Sequence, residues 1–462
     1  MIIKSLLDVD FYKYLMAQVA FDMFPDAQVS YYFKNRNKNL ILKNIINEDR
    51  LKAEIEAVKS LKLSNEQAKY LRSLNQLSET FIDYLSRIKL SDVNVDYSGD
   101  EIQITTKGTW AESILWETII LAIVNELYTE SLDNDKDKLL LDAKSILYNK
   151  IAKLIKRPDI KFSDFGTRRR YSADWQRFVV TKLKSELGNS LMGTSNVQLA
   201  MDLGLTPIGT QAHELYMIGS GIFDMGTDES LRGSHSKMLE IWQKTHGLEK
   251  TIALSDTYGS DFFLKDFKKF AAVWKGVRHD SGDPFEFGRK VVKYYKDLRI
   301  DPMTKVIVFS DGLDVDLMIR LQDEFGSQIN VVFGIGTNLT NDMCEGWKPL
   351  SIVMKAQYVF KDGKTFELVK LSDNPGKISG SESVVKRYKR VFNYNDKTIE
   401  LTETMNDIIL KEFPKYRKIW VQRSKSGVCI TLFEENNYVM CFGKTNDYSP
   451  SNIVKIIKEG LA

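Results

Sequence analysis

Residues 51–88 place apolar side chains at helical intervals: Leu51, Ile55, Val58 and Leu61, then Ala68, Leu71 and Leu74, with charged residues between them. A period near 3.6 predicts two or three amphipathic helices here. The period then changes. Val93, Val95 and Tyr97 alternate with polar residues, Ser98-Gly99-Asp100 makes a turn, and Ile102 and Ile104 resume the alternation, which predicts a hairpin. Residues 110–128 are apolar on most faces and predict a buried helix, and a further helix follows over 136–155. A sheet packed on helices makes residues 1–158 an α+β domain.

From Lys161 a different grammar takes over: a short apolar run, a loop rich in Gly, Asp, Ser or Thr, then an amphipathic helix. The clearest units are TIAL-SDTYG (251–259), AAVWKGV-RHDSGD (271–283), KVIVF-SDGLD (305–314) and INVVF-GIGTN (329–338). Strands alternating with helices predict parallel βαβ units in a doubly wound sheet or a barrel. The polar clusters all follow strands, where barrel enzymes assemble active sites, so a barrel over residues 159–378 is expected. Residues 379–462 change style again. KRYKRVFNYND (386–396) is basic and aromatic, residues 420–443 predict a hairpin, and a last helix is expected over 451–461. This segment reads as completing the small domain and then running on as a C-terminal α/β extension of unknown role.

The totals narrow the function. Lys plus Arg number 65 against 62 Asp plus Glu, a formal charge of +3, so no global field draws in nucleic acid or an acidic membrane. Three cysteines, Cys344, Cys429 and Cys441, without CxxC spacing argue against a disulfide scaffold or structural zinc and fit a reducing cytoplasm. Asp8 and Asp10 come too early for a signal-peptide core. The longest apolar run, residues 119–124, falls far short of the roughly 20 residues a membrane span needs.

Candidate chemistry sits in the loops. GTSN (193–196) is followed by GTQAHE (209–214), which predicts a polar loop, a short helix, a short strand and then His213 in a second polar loop. His213 is one of four histidines, and Glu214 or another carboxylate can orient its ring. His235 and His246 read as structural, and His279 as part of the acidic-loop framework. Asp280, Asp283 and Asp311 follow strands, where they can hold ribose hydroxyls or hydrated magnesium, or simply cap helices. Gly334, Gly336 and Thr337 offer backbone N–H groups and a hydroxyl to a phosphate, although a tight strand-to-loop turn explains the glycines as well. In DFGTRRR (164–170) the three arginines cannot share a face: a basic triplet commonly marks a solvated surface, but after the Phe165-Gly166 turn one or two can meet ligand while a flat ring stacks on Phe165 and the rest pair structurally.

These motifs, with LSDT (254–257) and the opening LLDVDFYKYLMAQ (6–18), resemble the nicotinate phosphoribosyltransferases over about residues 5–377. The resemblance implies an irregular (β/α) barrel joined to a smaller α/β domain built from both chain ends. It also implies joining of nicotinate to 5-phosphoribosyl 1-pyrophosphate, with ATP as co-substrate and Mg2+ as cofactor. Carried over by position, His213 is the histidine that becomes phosphorylated and Asp256 a partner in its environment. Phe165 stacks on the pyridine, Arg168 meets the ligand carboxyl or phosphate, and Tyr12 closes the other ring face from a neighbouring subunit, which implies a homodimer. Arg278, Asp280 and Asp311 surround ribose and pyrophosphate, and Gly336 with Thr337 take the 5′-phosphate. Ser195 stands where the related nicotinamide enzymes carry an aspartate, and a serine removes repulsion toward a carboxylate ligand. Three other readings stay open: a nicotinamide phosphoribosyltransferase, a barrel glycosidase using Asp280, Asp283 and Asp311, and a noncatalytic nucleotide-binding relative. The extension beyond residue 395 departs from the family pattern and receives no function from it.

Overall fold

The computed structural model describes all residues except 38, 133–134, 395–397, 400–402, 417, 425–426, 435–437, 444–448 and 462. The early amphipathic segment forms three helices, Glu48–Lys59, Asn65–Ser73 and Glu79–Leu85. Each starts at a side chain that accepts a backbone N–H: Asn47, Ser64 and Ser78. Leu51, Ile55, Val58, Ala68 and Leu71 are buried as their spacing requires. Strand β1 (Gln28–Asn35) pairs antiparallel with β3 (Gln103–Thr109), which pairs with β2 (Val93–Asp96) in the expected hairpin. The apolar stretch at 110 breaks into a turn of helix, Trp110–Ser113, and a buried helix, Trp116–Glu130, followed by Lys136–Ile155.

The βα repeats produce six parallel strands: β4 (Phe162–Asp164), β5 (Leu191–Thr194), β6 (Ile252–Leu254), β7 (Gly276–His279), β8 (Val306–Phe309) and β9 (Asn330–Ile335). Their order is β5-β4-β9-β8-β7-β6. The two edges are joined by the chain before His213. Thr194 bridges Pro207 in parallel, Ile208 N–H donates to the Thr194 carbonyl, and Gln211 Oε1 accepts from the Leu254 N–H on the far edge. The short strand expected here shrinks to that single bridge, because Pro207 has no N–H with which to extend a ladder. The result is an irregular closure, and it delivers His213 to the mouth formed by the ends of the strands.

Strands β10 (Ile352–Lys361) and β11 (Lys364–Glu367) leave the parallel sheet and complete the antiparallel one in the order β11-β10-β1-β3-β2. The boundary drawn at residue 378 thus differs from the sheet boundary. Eight β1 residues from Gln28 to Asn35 register with β10, and that main-chain pairing ties residues 352–367 to the first domain. One continuous core runs from Ile2 to Phe392.

The basic segment forms the helix Glu382–Val391, whose Arg387 and Arg390 pair with Asp224 and Asp228. Beyond it, β12 (Thr398–Ile399), β13 (Lys418–Ser424), β14 (Gly427–Phe433) and β15 (Tyr438–Gly443) form an antiparallel sheet in that order. Helices Glu403–Glu412 and Pro450–Leu461 flank it. Ile409, Ile419, Val421, Ile430, Leu432, Ile453 and Ile457 make a second, separate core. Cys344, Cys429 and Cys441 are free thiols. No helix among the described residues is long and apolar enough to cross a membrane.

Candidate active site

His213 is the first residue of the helix His213–Phe223, after an extended Ala212, and not a loop residue as its neighbours suggested. Its Nδ1 lies 3.0 Å from Thr257 Oγ1, and its Nε2 lies 2.9 Å from Asp280 Oδ2, 2.7 Å from Lys370 Nζ and 3.8 Å from Asp256 Oδ1. Burial and the Lys370 ammonium lower its pKa against the pull of Asp256 and Asp280, so the ring is neutral. Glu214 does not orient it. That carboxylate turns into the protein, where it accepts from Lys13, Tyr31 and Trp110.

Burial works to raise the Asp280 carboxyl, but Arg278, the His213 hydrogen bond and Lys370 hold it well below the ordinary range. Asp256 is also lowered: burial opposes ionisation, and the Lys370 ammonium and the hydrogen bond from Ser281 act against it. Asp256 Oδ2 accepts from Ser281, while its buried Oδ1 has no hydrogen-bond partner among the described residues. The ligand atoms of His213, Asp256 and Asp280 lie within 4.8 Å of one another, a donor set that fits a cation, with Lys370 Nζ supplying positive charge beside it. Arg278 donates to Thr210 and approaches Asp280 Oδ1 at 3.6 Å, and its buried Nε has no partner among the described residues. Asp311 accepts from Lys377 Nζ at 2.6 Å. Asp283 separates from this group: its Oδ1 accepts from the Phe285 and Glu286 N–H groups and caps the helix Pro284–Asp297. The capping alternative holds for Asp283, which removes one of the three candidates for a glycosidase carboxylate pair.

The arginine triplet divides by environment. Arg170 is fully buried between Asp8 and Glu126 and is structural. Arg168 is half-exposed, with Nη1 at 3.1 Å from Glu117 and Nε at 3.5 Å from Asp10. Its guanidinium lies 5.7 Å from the Tyr12 ring of the same chain. Tyr12, expected to close a ring face from a neighbouring subunit, here lies beside Arg168 of its own chain. Phe165, half-buried, follows β4, and its main-chain N–H donates to Ile335 O at the end of β9. Gly336 and Thr337 sit beside it at the start of the short helix Thr337–Thr340. Ser195 is buried and gives its proton to Asp10 Oδ1 at 2.6 Å. A carboxylate is thus present near residue 195 after all, though burial raises its pKa against Arg168 and Ser195. Gly209 explains part of its motif: a Cβ there would meet the Tyr12 backbone N at 2.6 Å, so the loop before His213 can lie against the N-terminal helix Phe11–Met23.

The other histidines stay structural. His235 bonds Asp266 and stacks on Tyr216, His246 bonds the Leu15 carbonyl, and His279 is buried beside Phe287 and Phe309. Sequence reasoning missed Asp10, Lys13, Glu117, Thr257, Lys370 and Lys377. Lys370 and Lys377 lie on one loop, and a single lysine, here in Val369-Lys370-Leu371 and Gly376-Lys377-Ile378, carries no signal that separates it from a surface lysine.

A parallel, irregularly closed α/β sheet with an arginine, carboxylates and a neutral histidine at one mouth defines an enzyme of the βα-repeat class, with a charged site suited to a phosphorylated ligand. A model of the nicotinate phosphoribosyltransferase family matches residues 160–396, and a model of that family's N-terminal domain matches residues 7–125. The chain belongs to the nicotinate phosphoribosyltransferase family. It is 40% identical to a nicotinate phosphoribosyltransferase of Ralstonia nicotianae over 402 residues, 85% of this chain and 99% of that one. Among solved structures it is similar to the nicotinate phosphoribosyltransferases of Porphyromonas gingivalis (TM-score 0.78, 33% identity, covering 85% of this chain and 100% of that chain) and Vibrio cholerae (TM-score 0.77, 34% identity, 89% and 97%).

Proposed function

We propose that this enzyme joins nicotinate to 5-phosphoribosyl 1-pyrophosphate, giving nicotinate mononucleotide and pyrophosphate, with ATP hydrolysis coupled through phosphorylation of His213. The observation that carries the coupling is the environment of the ring. Burial and Lys370 keep it neutral, Thr257 holds Nδ1, and Nε2 faces Asp280 and Lys370. A neutral imidazole has a lone pair for the γ-phosphoryl group, and the first turn of an eleven-residue helix favours the negative charge that results.

Phe165 then offers a face to the pyridine ring and Arg168 a fork to its carboxylate, with Tyr12 beside the guanidinium. Arg278, Asp280 and Asp311 receive the ribose and pyrophosphate, and the backbone at Gly336 and Thr337 takes the 5′-phosphate. The pyridine nitrogen lone pair forms the bond to the anomeric carbon as the bond to pyrophosphate breaks. Positive charge growing on the ribose is stabilised by the carboxylates, and negative charge on the leaving group by Arg278 and the lysines. Asp256 and Asp280, with the unpartnered Asp256 Oδ1, are the side chains that would hold magnesium, which neutralises pyrophosphate charge when bound. A homodimer is part of this reading and rests on the resemblance to the family. The test is mononucleotide formation from phosphoribosyl pyrophosphate with nicotinate or nicotinamide, each with and without ATP. Preference for nicotinate with ATP stimulation supports the reading, and preference for nicotinamide overturns the substrate assignment.

A further inference from the structure

Both lysines of the site ride on one loop. Lys370 and Ser379 close its base by a pair of main-chain hydrogen bonds, Lys370 reaches His213, and Lys377 reaches Asp311 and the Asp280 carbonyl. Between them Ser372 adopts φ 66°, Asp373 accepts from the Ser260 N–H, and Asn374 caps the single turn Pro375–Lys377. A non-glycine residue at positive φ persists only where its surroundings hold it. Those surroundings come partly from beyond the barrel. Tyr394 OH donates to the Ser372 carbonyl at 2.8 Å, and Phe392 stacks on Tyr258 with centroids 4.0 Å apart.

The tip of the loop is held by the C-terminal sheet. The half-buried Trp420 of β13 lays its indole on the Cα of Gly376, so closely that a Cβ at that position would run into the ring. The same sheet sends Phe442 edge-on to Phe285, with centroids 5.9 Å apart, at the start of the helix that Asp283 caps. Buried Cys429 lies close enough to Asp283 that, after burial itself, this carboxylate raises its thiol pKa. The extension therefore seats on two neighbouring elements, the lysine loop and the acidic loop. The family match ends at residue 396, so it includes the lysine loop and excludes Trp420, Cys429 and Phe442.

We propose that the C-terminal unit positions the lysine loop, with Trp420 as the positioning residue that acts through Gly376 on Lys377. The assignment rests on the reading above in which Lys377 and Asp311 meet the phosphoribosyl substrate. Trp420 is a rigid wedge against a residue adjacent to Lys377, so its loss frees the ammonium from a fixed place over Asp311. Trp420 bears on Gly376, next to Lys377, whereas Phe165 and Arg168 take the pyridine in that reading, so the effect falls on phosphoribosyl pyrophosphate and spares nicotinate.

The experiment is steady-state kinetics of the full chain in Trp420→Ala, Trp420→Phe, Gly376→Ala and the Gly376→Ala/Trp420→Ala pair. A displaced charge in a preorganised site predicts a rise in KM for phosphoribosyl pyrophosphate on the order of tenfold in Trp420→Ala, with KM for nicotinate within about twofold. Phenylalanine restores most of the loss. Gly376→Ala produces the same split by forcing the ring away, and adding Trp420→Ala to it causes no further rise, because the wedge is already displaced. Trp420→Ala also has no further effect on that KM in a Lys377→Met background. Unchanged KM for both substrates in Trp420→Ala, an equal rise for both, or full additivity with Lys377→Met would overturn the proposal. If Trp420→Ala is recovered only unfolded, amide exchange decides: Trp420→Phe and Gly376→Ala must alter protection over residues 370–379, and unaltered protection there refutes the positioning role. Failure of the wild type to form any mononucleotide is a separate result, which strikes the reading of the site.

Discussion

Replacing Lys370 by methionine removes a buried ammonium 2.7 Å from His213 Nε2 while keeping much of the side-chain volume. At an effective dielectric constant near 20, a unit charge at that distance repels an imidazolium by about 6 kcal/mol. Asp280 at 2.9 Å and Asp256 at 3.8 Å attract the same imidazolium by about 6 and about 4 kcal/mol on that scale. With the lysine present, the burial cost and its repulsion together outweigh that attraction, in keeping with the lowered pKa of His213. Without it, only the burial cost opposes the two carboxylates. Each 1.4 kcal/mol or so is a tenfold change in the protonation equilibrium, so even a third of the lost repulsion moves it by more than tenfold toward imidazolium. A protonated ring has no lone pair to accept a phosphoryl group. Lys370→Met should lose most ATP stimulation of nucleotide formation at neutral pH and recover part of it in alkali, whereas Lys370→Arg should keep the wild-type profile. The assay is initial rate against pH at saturating ATP. A Lys370→Met profile that is merely scaled down, with no alkaline displacement, would refute the electrostatic argument.

Arg170→Met leaves Asp8 and Glu126 as buried carboxylates without their cation, which should destabilise the fold by about 3–5 kcal/mol in denaturant unfolding. His246 has its pKa lowered to about 4 by burial, while an unfolded histidine titrates near 6.5. The unfolded chain then binds more protons between these values, so stability is full above about pH 6.5 and falls toward pH 4, by at most about 3 kcal/mol. His246→Gln, which keeps a donor for the Leu15 carbonyl, should flatten the melting temperature over that window. Ser195→Asp should lower nicotinate use far more than nicotinamide use. The new carboxylate would lie beside Asp10 as well as the ligand, and equal losses with the two pyridines would remove the charge argument.

Much of this molecule was legible because its elements announce their period. The three helices before Leu85 and the strands before each polar cluster follow directly from spacing and from the Asn, Ser and Asp caps. The sheet that joins β1 to β10 was not visible in periodicity, since pairing across more than 300 residues leaves no local trace. The site was legible in part for the same reason. His213, Asp256, Asp280, Arg278 and Asp311 lie near the ends of strands, directly after them or at a helix start, where βα geometry gathers them. Lys370 and Lys377 come from a loop beyond the antiparallel strands, and only the fold brings them to His213 and Asp311. Asp283 and Asp280 look alike in the sequence and differ only in whether a helix N-terminus consumes the carboxylate.

Incubation of the wild type and of His213→Ala with ATP labelled at the γ-phosphate, followed by peptide mapping of acid-labile, alkali-stable label, tests the central claim most directly. Label confined to the peptide containing residue 213, absent from the variant and discharged when phosphoribosyl pyrophosphate and nicotinate are added, is the predicted result. Label that persists in His213→Ala, or ATP stimulation of nucleotide formation that survives the substitution, would contradict it.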